Sequence, residues 1–122
     1  MQTIYDNVID IPEAEDIKLE EYFEFRPYCG ETLPGMINSF FLGCIFPYNN
    51  DRDNARIEFT PLNPENHNNN TFRLAISYYL VKPENFTSAD KMNWIEEAHF
   101  QIQQLFEGCI TDRLREIFQE VK

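Results

Sequence analysis

Glu96 and His99 stand at the Glu-x-x-His spacing, which brings a carboxylate and an imidazole onto one face of a helix. Helical bundles that hold two metal ions use two such pairs plus two further carboxylates. This chain offers a single pair on its one long periodic segment, so one of the two pairs is missing. The plainer reading puts His99 at the edge of an apolar helical stripe, packed under a sheet with one hydrogen bond. A second candidate, Asp51-x-Asp53-Asn54, imitates the opening of a calcium loop. The required glycine is missing and Glu58 lies at the wrong distance for the closing ligand, so the stretch reads as a polar hairpin loop. Nucleophilic catalysis needs a nucleophile beside a base. The two histidines, His67 in an asparagine-rich loop and His99, have no sequence context that suggests a triad. Four glycines form no phosphate cradle. The expectation is a protein without catalytic residues, metal or cofactor, with His99 and Glu96 kept as candidate ligand-binding residues.

Charge bounds the partners. The net charge is −11, and no basic stripe exists for direct contact with nucleic acid. An anionic membrane surface would repel such a chain. A basic or nucleic-acid-binding protein partner is compatible with it, and so is simple solubility. Acids crowd the first third: Asp6, Asp10, Glu13, Glu15, Asp16, Glu20, Glu21 and Glu24, interleaved with Tyr5, Tyr22, Phe23 and Phe25. Glu20, Glu21 and Glu24 form a candidate acidic docking patch, set against the plain reading of a solvated strand face. Cys29, Cys44 and Cys109 are scattered and odd in number, without a C-x-x-C pair, so they read as reduced thiols rather than zinc ligands or disulfides. Residues 1–6 carry neither a basic nor an apolar leader, and no apolar run approaches the roughly 18 residues of a membrane span. A cytoplasmic protein is the expectation.

Several elements would have to position these residues. The 122 residues suit one domain, with a core rich in the chain's eleven phenylalanines and six tyrosines. Residues 87–122 are the longest periodic segment. Ile95, His99, Ile102, Phe106, Ile110, Leu114, Ile117 and Val121 recur at steps of three and four. Thr87 with Asp90 resembles a capping box. Gly108 weakens the segment, and could end a first helix with Thr111 capping a second. The phase of the apolar face continues past Gly108, which favours one helix, roughly 50 Å long at about 1.5 Å per residue. Upstream, residues 3–11 suit an edge strand or ordered arm, and residues 12–16 an exposed loop. Alternation predicts half-buried strands over 17–26, 56–62 and 72–81. Residues 36–46 are apolar on both faces and read as a central strand with Phe41 and Ile45 on its second face. The predicted class is α+β: an antiparallel sheet of four to five strands packed on one long C-terminal helix.

Trp94-Ile95, His99, Ile102, Phe106-Glu107, Ile110-Thr111-Asp112, Leu114-Arg115 and Phe118 stand at the spacing W-I-x3-H-x2-I-x3-F-E-x2-I-T-D-x-L-R-x2-F. This run resembles the C-terminal half of a sporadically distributed bacterial family of conserved proteins without an established function. The likeness is close over residues 94–118 and looser through 36–81. Members of that family are about twice as long as this chain. The resemblance implies no active site, and its patchy distribution implies a setting in defence, counter-defence or toxin control, in bacteria or phage.

One helix on one side leaves the other sheet face in need of a cover, for which the N-terminal segment, a partner surface and the half-domain that the resemblance implies is absent are the candidates. That makes a non-enzymatic protein-interaction module the leading expectation, with Phe41, Ile45 and Tyr79 as the apolar contact and homo-oligomerisation open. An acidic inhibitor that occupies the nucleic-acid-binding groove of another protein is the alternative. A small-ligand or enzymatic pocket between sheet and helix, using His99 and Glu96, is the third.

Overall fold

The computed structural model describes residues 1–12, 18–33, 39–62, 70–83 and 86–120. Four strands, β1 (Gln2–Ile11), β2 (Leu42–Tyr48), β3 (Asp53–Leu62) and β4 (Asn70–Leu80), form one antiparallel sheet in the order β1-β4-β3-β2. Three helices accompany it: α1 (Leu19–Tyr22), α2 (Asp90–Cys109) and α3 (Asp112–Glu120). The α+β class is as expected, with four strands in the sheet.

The period of two sets the faces. On β3 and β4, Ala55, Ile57 and Phe59 stand across from Tyr78, Ile76 and Leu74, and all six are buried. This inner face takes two covers. Helix α2 lays Trp94, Ala98, Ile102 and Cys109 against it. At the other end Phe23 packs its ring 4.5 Å from Phe59 and 5.2 Å from Phe72, with Ile110 and Leu114 in the same cluster.

Three expectations about elements change. Residues 42–48 form an edge strand, not a central one. Pro47 is the reason: it lacks an N–H, so it belongs where no neighbour needs one. The start of the expected strand, residues 36–38, lies outside the described residues, as do most of the expected loop 12–16 and Asn66–Asn69. Instead of a strand over 17–26, residues 19–22 make one helical turn followed by extended chain at Phe23. Tyr22 and Phe23 are both fully buried, which a period of two cannot deliver. The Tyr22 ring lies under the Arg113 guanidinium, 5.0 Å away.

The long helix is two helices. Ile110 is extended (φ −116°, ψ 156°) and bridges Phe23. The Cys109 carbonyl accepts the N–H groups of Glu24 and Phe25, and Thr111 N–H donates to the Tyr22 carbonyl at 3.0 Å. Helix ends leave carbonyls without partners, and here the chain after α1 supplies them. Thr111 Oγ1 then accepts from Leu114 N–H at 3.4 Å, as an N-cap does. Arg115 closes the corner on the carboxylate and the backbone carbonyl of Glu107. The buried stripe of α2 is Trp94, Ala98, Ile102 and Cys109, and His99 falls outside it, exposed instead of packed beneath the sheet. At the start of α2, Asp90 accepts both the N–H and the hydroxyl of Thr87, which is half of the expected capping box.

Gly108 is not what breaks the chain. It lies inside α2, and a Cβ built there meets no atom within 4 Å. Gly108→Ala is therefore expected to stabilise the fold by about 0.5–1 kcal/mol through helix propensity. Urea unfolding of the two proteins checks it, and a loss of stability would show that the corner needs glycine.

Candidate interaction surface

The outer face of the sheet carries Ile4, Asp6 and Val8 of β1, Arg73, Ala75, Ser77 and Tyr79 of β4, Arg56 and Glu58 of β3, and Gly43 and Ile45 of β2. The described residues place no helix or strand over it. Its middle is polar, with ion pairs Arg73–Asp6 at 2.8 Å and Arg56–Glu58 at 3.2 Å. The Arg73 guanidinium holds the Asp6 carboxyl below its ordinary range. Its two margins are apolar. Ile4 and Val8 are 60% and 58% exposed along β1, and Phe41 and Ile45 are 68% and 53% exposed at β2. The Phe41 ring lies beside Gly43, where a Cβ would meet it at 3.4 Å. An aromatic ring over an edge glycine supplies the packing that glycine lacks.

Structure separates the residues singled out from sequence. Phe41 and Ile45 share one margin of the outer face. Tyr79 lies two strands away, half-buried, in a shallow hollow of about 520 Å³ with Met1, Gln2, Arg56 and Ser77. Glu20, Glu21 and Glu24 sit on and just after α1, on the inner side, exposed. Glu21 is tied to Arg113 at 3.1 Å. His99 and Glu96 are both exposed on α2. Among the described residues no three His, Cys, Asp or Glu side chains are grouped to hold a metal ion. Cys109 is buried, and burial pushes its thiol up to about 12, which removes it as a nucleophile. All three cysteines are free. No helix among the described residues is long and apolar enough to cross a membrane.

A second surface lies between sheet and helix, where the third expectation put a pocket, and His99 lines it while Glu96 does not. Thr3, Ile4 and Tyr5 of β1 face His99, Ile102, Gln103, Phe106 and Glu107 of α2 across a groove of about 430 Å³. Tyr5 and Phe106 meet edge to face at 5.4 Å at its base. His99 enters here as a wall residue. The sequence signal for this groove is the run of Ile4, Tyr5 and Val8 in an N-terminal strand, but its helical wall depends on the phase of α2.

The calcium-like stretch is the other correction. Asp53 is fully buried. Its Oδ1 accepts from Trp94 Nε1 at 3.0 Å and Arg52 Nε at 3.2 Å. Its Oδ2 accepts from Arg52 Nη2 at 2.7 Å, the Tyr78 hydroxyl at 2.8 Å and Asn49 Nδ2 at 2.9 Å. Five donors leave nothing to offer a cation. Asn49, Asn50 and Asp51 all have left-handed φ (53°, 54°, 66°), the turn that aims Asn49 back at Asp53. Asn49 and Arg52 also reach Glu97 on α2, at 2.9 and 3.6 Å. The cluster fastens the β2–β3 hairpin to the helix.

Comparison with known proteins returns nothing: no family model, no curated protein and no solved structure matches this chain.

Burial alone would push the Asp53 carboxyl up, but hydrogen bonds from Arg52, Trp94, Asn49 and Tyr78 overcome it and hold it at about 2, against 3.8 for a free aspartate. A depressed folded-state pKa gives stability that is whole above the unfolded value and lost as pH falls toward the folded one. Urea stability is therefore expected to fall between about pH 4 and pH 2. Asp53→Ala leaves buried donors without an acceptor and should cost about 3–5 kcal/mol at neutral pH. The variant should also lose the part of the acid transition that Asp53 contributes.

Proposed function

We propose that this protein is a non-enzymatic protein-interaction module whose partner seats on the outer sheet face at its β2 margin. The observation that carries this reading is the exposure of Phe41 and Ile45, 68% and 53%, on a face over which the described residues place no element. Large apolar side chains grouped on an open sheet face are a surface that a partner can dry. Tyr79 lies apart from this margin and drops out as a main contact. Glu20, Glu21 and Glu24 belong to a separate acidic surface, whose charge would set association rate and salt sensitivity more than affinity.

The proposed setting is the cytoplasm of a bacterium, in defence, counter-defence or toxin control. Free cysteines support the compartment, and the likeness of residues 94–118 to the bacterial family supports the setting. The net charge of −11 keeps a second reading, an acidic inhibitor in the nucleic-acid-binding groove of another protein. A small-ligand site at His99 and Glu96 has less support, since only His99 lines the groove between β1 and α2.

Affinity capture from nuclease-treated bacterial lysate separates the first two. Washes at about 0.1 M and about 1 M salt cut the Debye length from near 10 Å to near 3 Å. The interaction module predicts a protein that survives the second wash and is lost with Phe41→Asp or Ile45→Asp, both surface changes that leave the fold intact. A nucleic-acid-binding protein released between the washes, and indifferent to those substitutions, would replace this reading with the inhibitor.

A further inference from the structure

We propose that the outer edge of β1, together with the groove between β1 and α2, binds an extended basic segment of a partner protein as an added strand of the sheet. The argument starts from the hydrogen-bond register. Leu80 N–H donates to the Met1 carbonyl, so the pair Met1 and Leu80 is a hydrogen-bonded one. Antiparallel ladders alternate such pairs with open ones. Thr3, Tyr5, Asn7 and Ile9 therefore turn their backbone groups toward β4, while Ile4, Asp6, Val8 and Asp10 turn theirs outward. The same alternation, carried across the sheet from the Arg52 carbonyl bonded to Val81 N–H, turns Pro47 outward on β2.

The two edges are thus treated differently. Sheet edges are templates for further pairing, and proteins blunt them with proline, lysine, bulges or short strands. On β2, seven residues long, a proline faces out. The β1 edge runs ten residues in unbroken register, without proline, lysine or bulge. Beside it lies a groove of about 430 Å³ with Tyr5, Ile102 and Phe106 on its walls. An exposed strand edge flanked by a helix is a geometry that accepts an extended peptide, whose backbone supplies affinity and whose alternate side chains supply specificity.

Charge selects the occupant. The acidic guards of this edge are Asp6 and Asp10, whose side chains point to the outer face. Arg73 partners Asp6, while among the described residues Asp10 accepts the uncharged Thr71 hydroxyl, at 2.5 Å. Glu107 adds a third carboxylate at the groove, partnered by Arg115. A second copy of the chain would bring its own Asp6 and Asp10, and its own net charge of −11, against these. A segment with lysine or arginine opposite Asp6 and Asp10 meets the opposite sign, and its intervening apolar side chains enter the groove toward Tyr5 and Phe106. This site lies at the far edge of the sheet from Phe41 and Ile45, so it stands whether or not that margin binds a partner.

The test is an amide-resolved NMR titration with the acetylated, amidated peptide Lys-Val-Thr-Val-Lys-Val-Thr, taken to about 1 mM, the weak end of specific recognition. Shifts should concentrate in β1 and along α2 from His99 to Glu107, and the amide protons of Ile4, Asp6 and Val8 should exchange more slowly. The same peptide N-methylated at its central threonine and lysine loses the donors aimed at β1, and should bind at least about tenfold more weakly. A version with glutamate for both lysines should bind more weakly than the parent. Val8→Pro removes one outward N–H at a position where an edge strand tolerates proline, and should weaken binding several-fold, while Ile45→Asp should leave it unchanged. No shift with the parent peptide, equal affinity for the N-methylated peptide, or shifts centred on Phe41 and Ile45 would each overturn the proposal. So would concentration-dependent protection of Ile4, Asp6 and Val8 without peptide, which would give the edge to a second copy.

Discussion

One buried carboxylate decides how this fold is held. Asp53 sits at the start of β3, fully enclosed, and takes hydrogen bonds from its own hairpin, from β4 and from α2. A buried charge is costly unless it is fully paired, so the position tolerates no partial arrangement. The hairpin must turn through three left-handed residues, Trp94 must enter with its indole N–H forward, and Tyr78 must point the same way. That requirement fixes the rotation of α2 about its axis. With Trp94 set, Ala98, Ile102 and Cys109 follow at helical spacing onto the sheet, and His99 and Phe106 turn toward β1. The groove beside β1 is thus a consequence of a contact at the opposite end of the helix.

A second lock holds the other end of the inner face, and it is made of main chain. Ile110 leaves the helix to bridge Phe23, and the Cys109 carbonyl takes two N–H groups from the segment after α1. Between the locks the core holds two aromatic groups, Tyr78 with Trp94 at 5.5 Å and Phe23 with Phe59 and Phe72, separated by the buried aliphatic side chains of Ile57, Leu74 and Ile76. All of this lies on one side of the sheet. The opposite side has ion pairs in its middle and aliphatic or aromatic side chains at its margins, so a partner would meet dry contacts at the rim and charges at the centre.

How much of this the sequence revealed follows from which forces were local. Alternation over residues 56–62 and 72–81 reports a strand with one buried face, and β3 and β4 are there. The helical pattern after Thr87 reports an amphipathic helix, and α2 is there. Pro47, directly after the apolar run 36–46, carried the signal against a central strand, because a proline there marks an edge. The helix break, with Thr111 capping a second helix, was legible as the alternative to one long helix, but the apolar phase argued against it; its cause is the set of N–H groups that Glu24 and Phe25 bring from far up the chain. Asp53 looked like loop polarity because its decisive partners, Tyr78 and Trp94, are distant in sequence and are themselves residues that cores usually contain. Tyr22 and Phe23 form a pair of adjacent buried aromatics that neither periodicity describes. Phe41 and Ile45 were recognised as facing away from the helix, although the strand that carries Ile45 lies at the edge and not in the centre.

The pairing of β1 with β4 bears on the order in which the molecule is made. Strands β2, β3 and β4 follow one another as a meander whose contacts are local, whereas β1 must find Asn70–Leu80 across the whole intervening chain. Contacts of such long separation form late, because loop closure must be completed before they return any energy. During synthesis β1 emerges first and waits, its Ile4, Tyr5 and Val8 without a neighbour, until β4 has been translated. Asp6 and Asp10 place charge on that waiting segment, which opposes its aggregation.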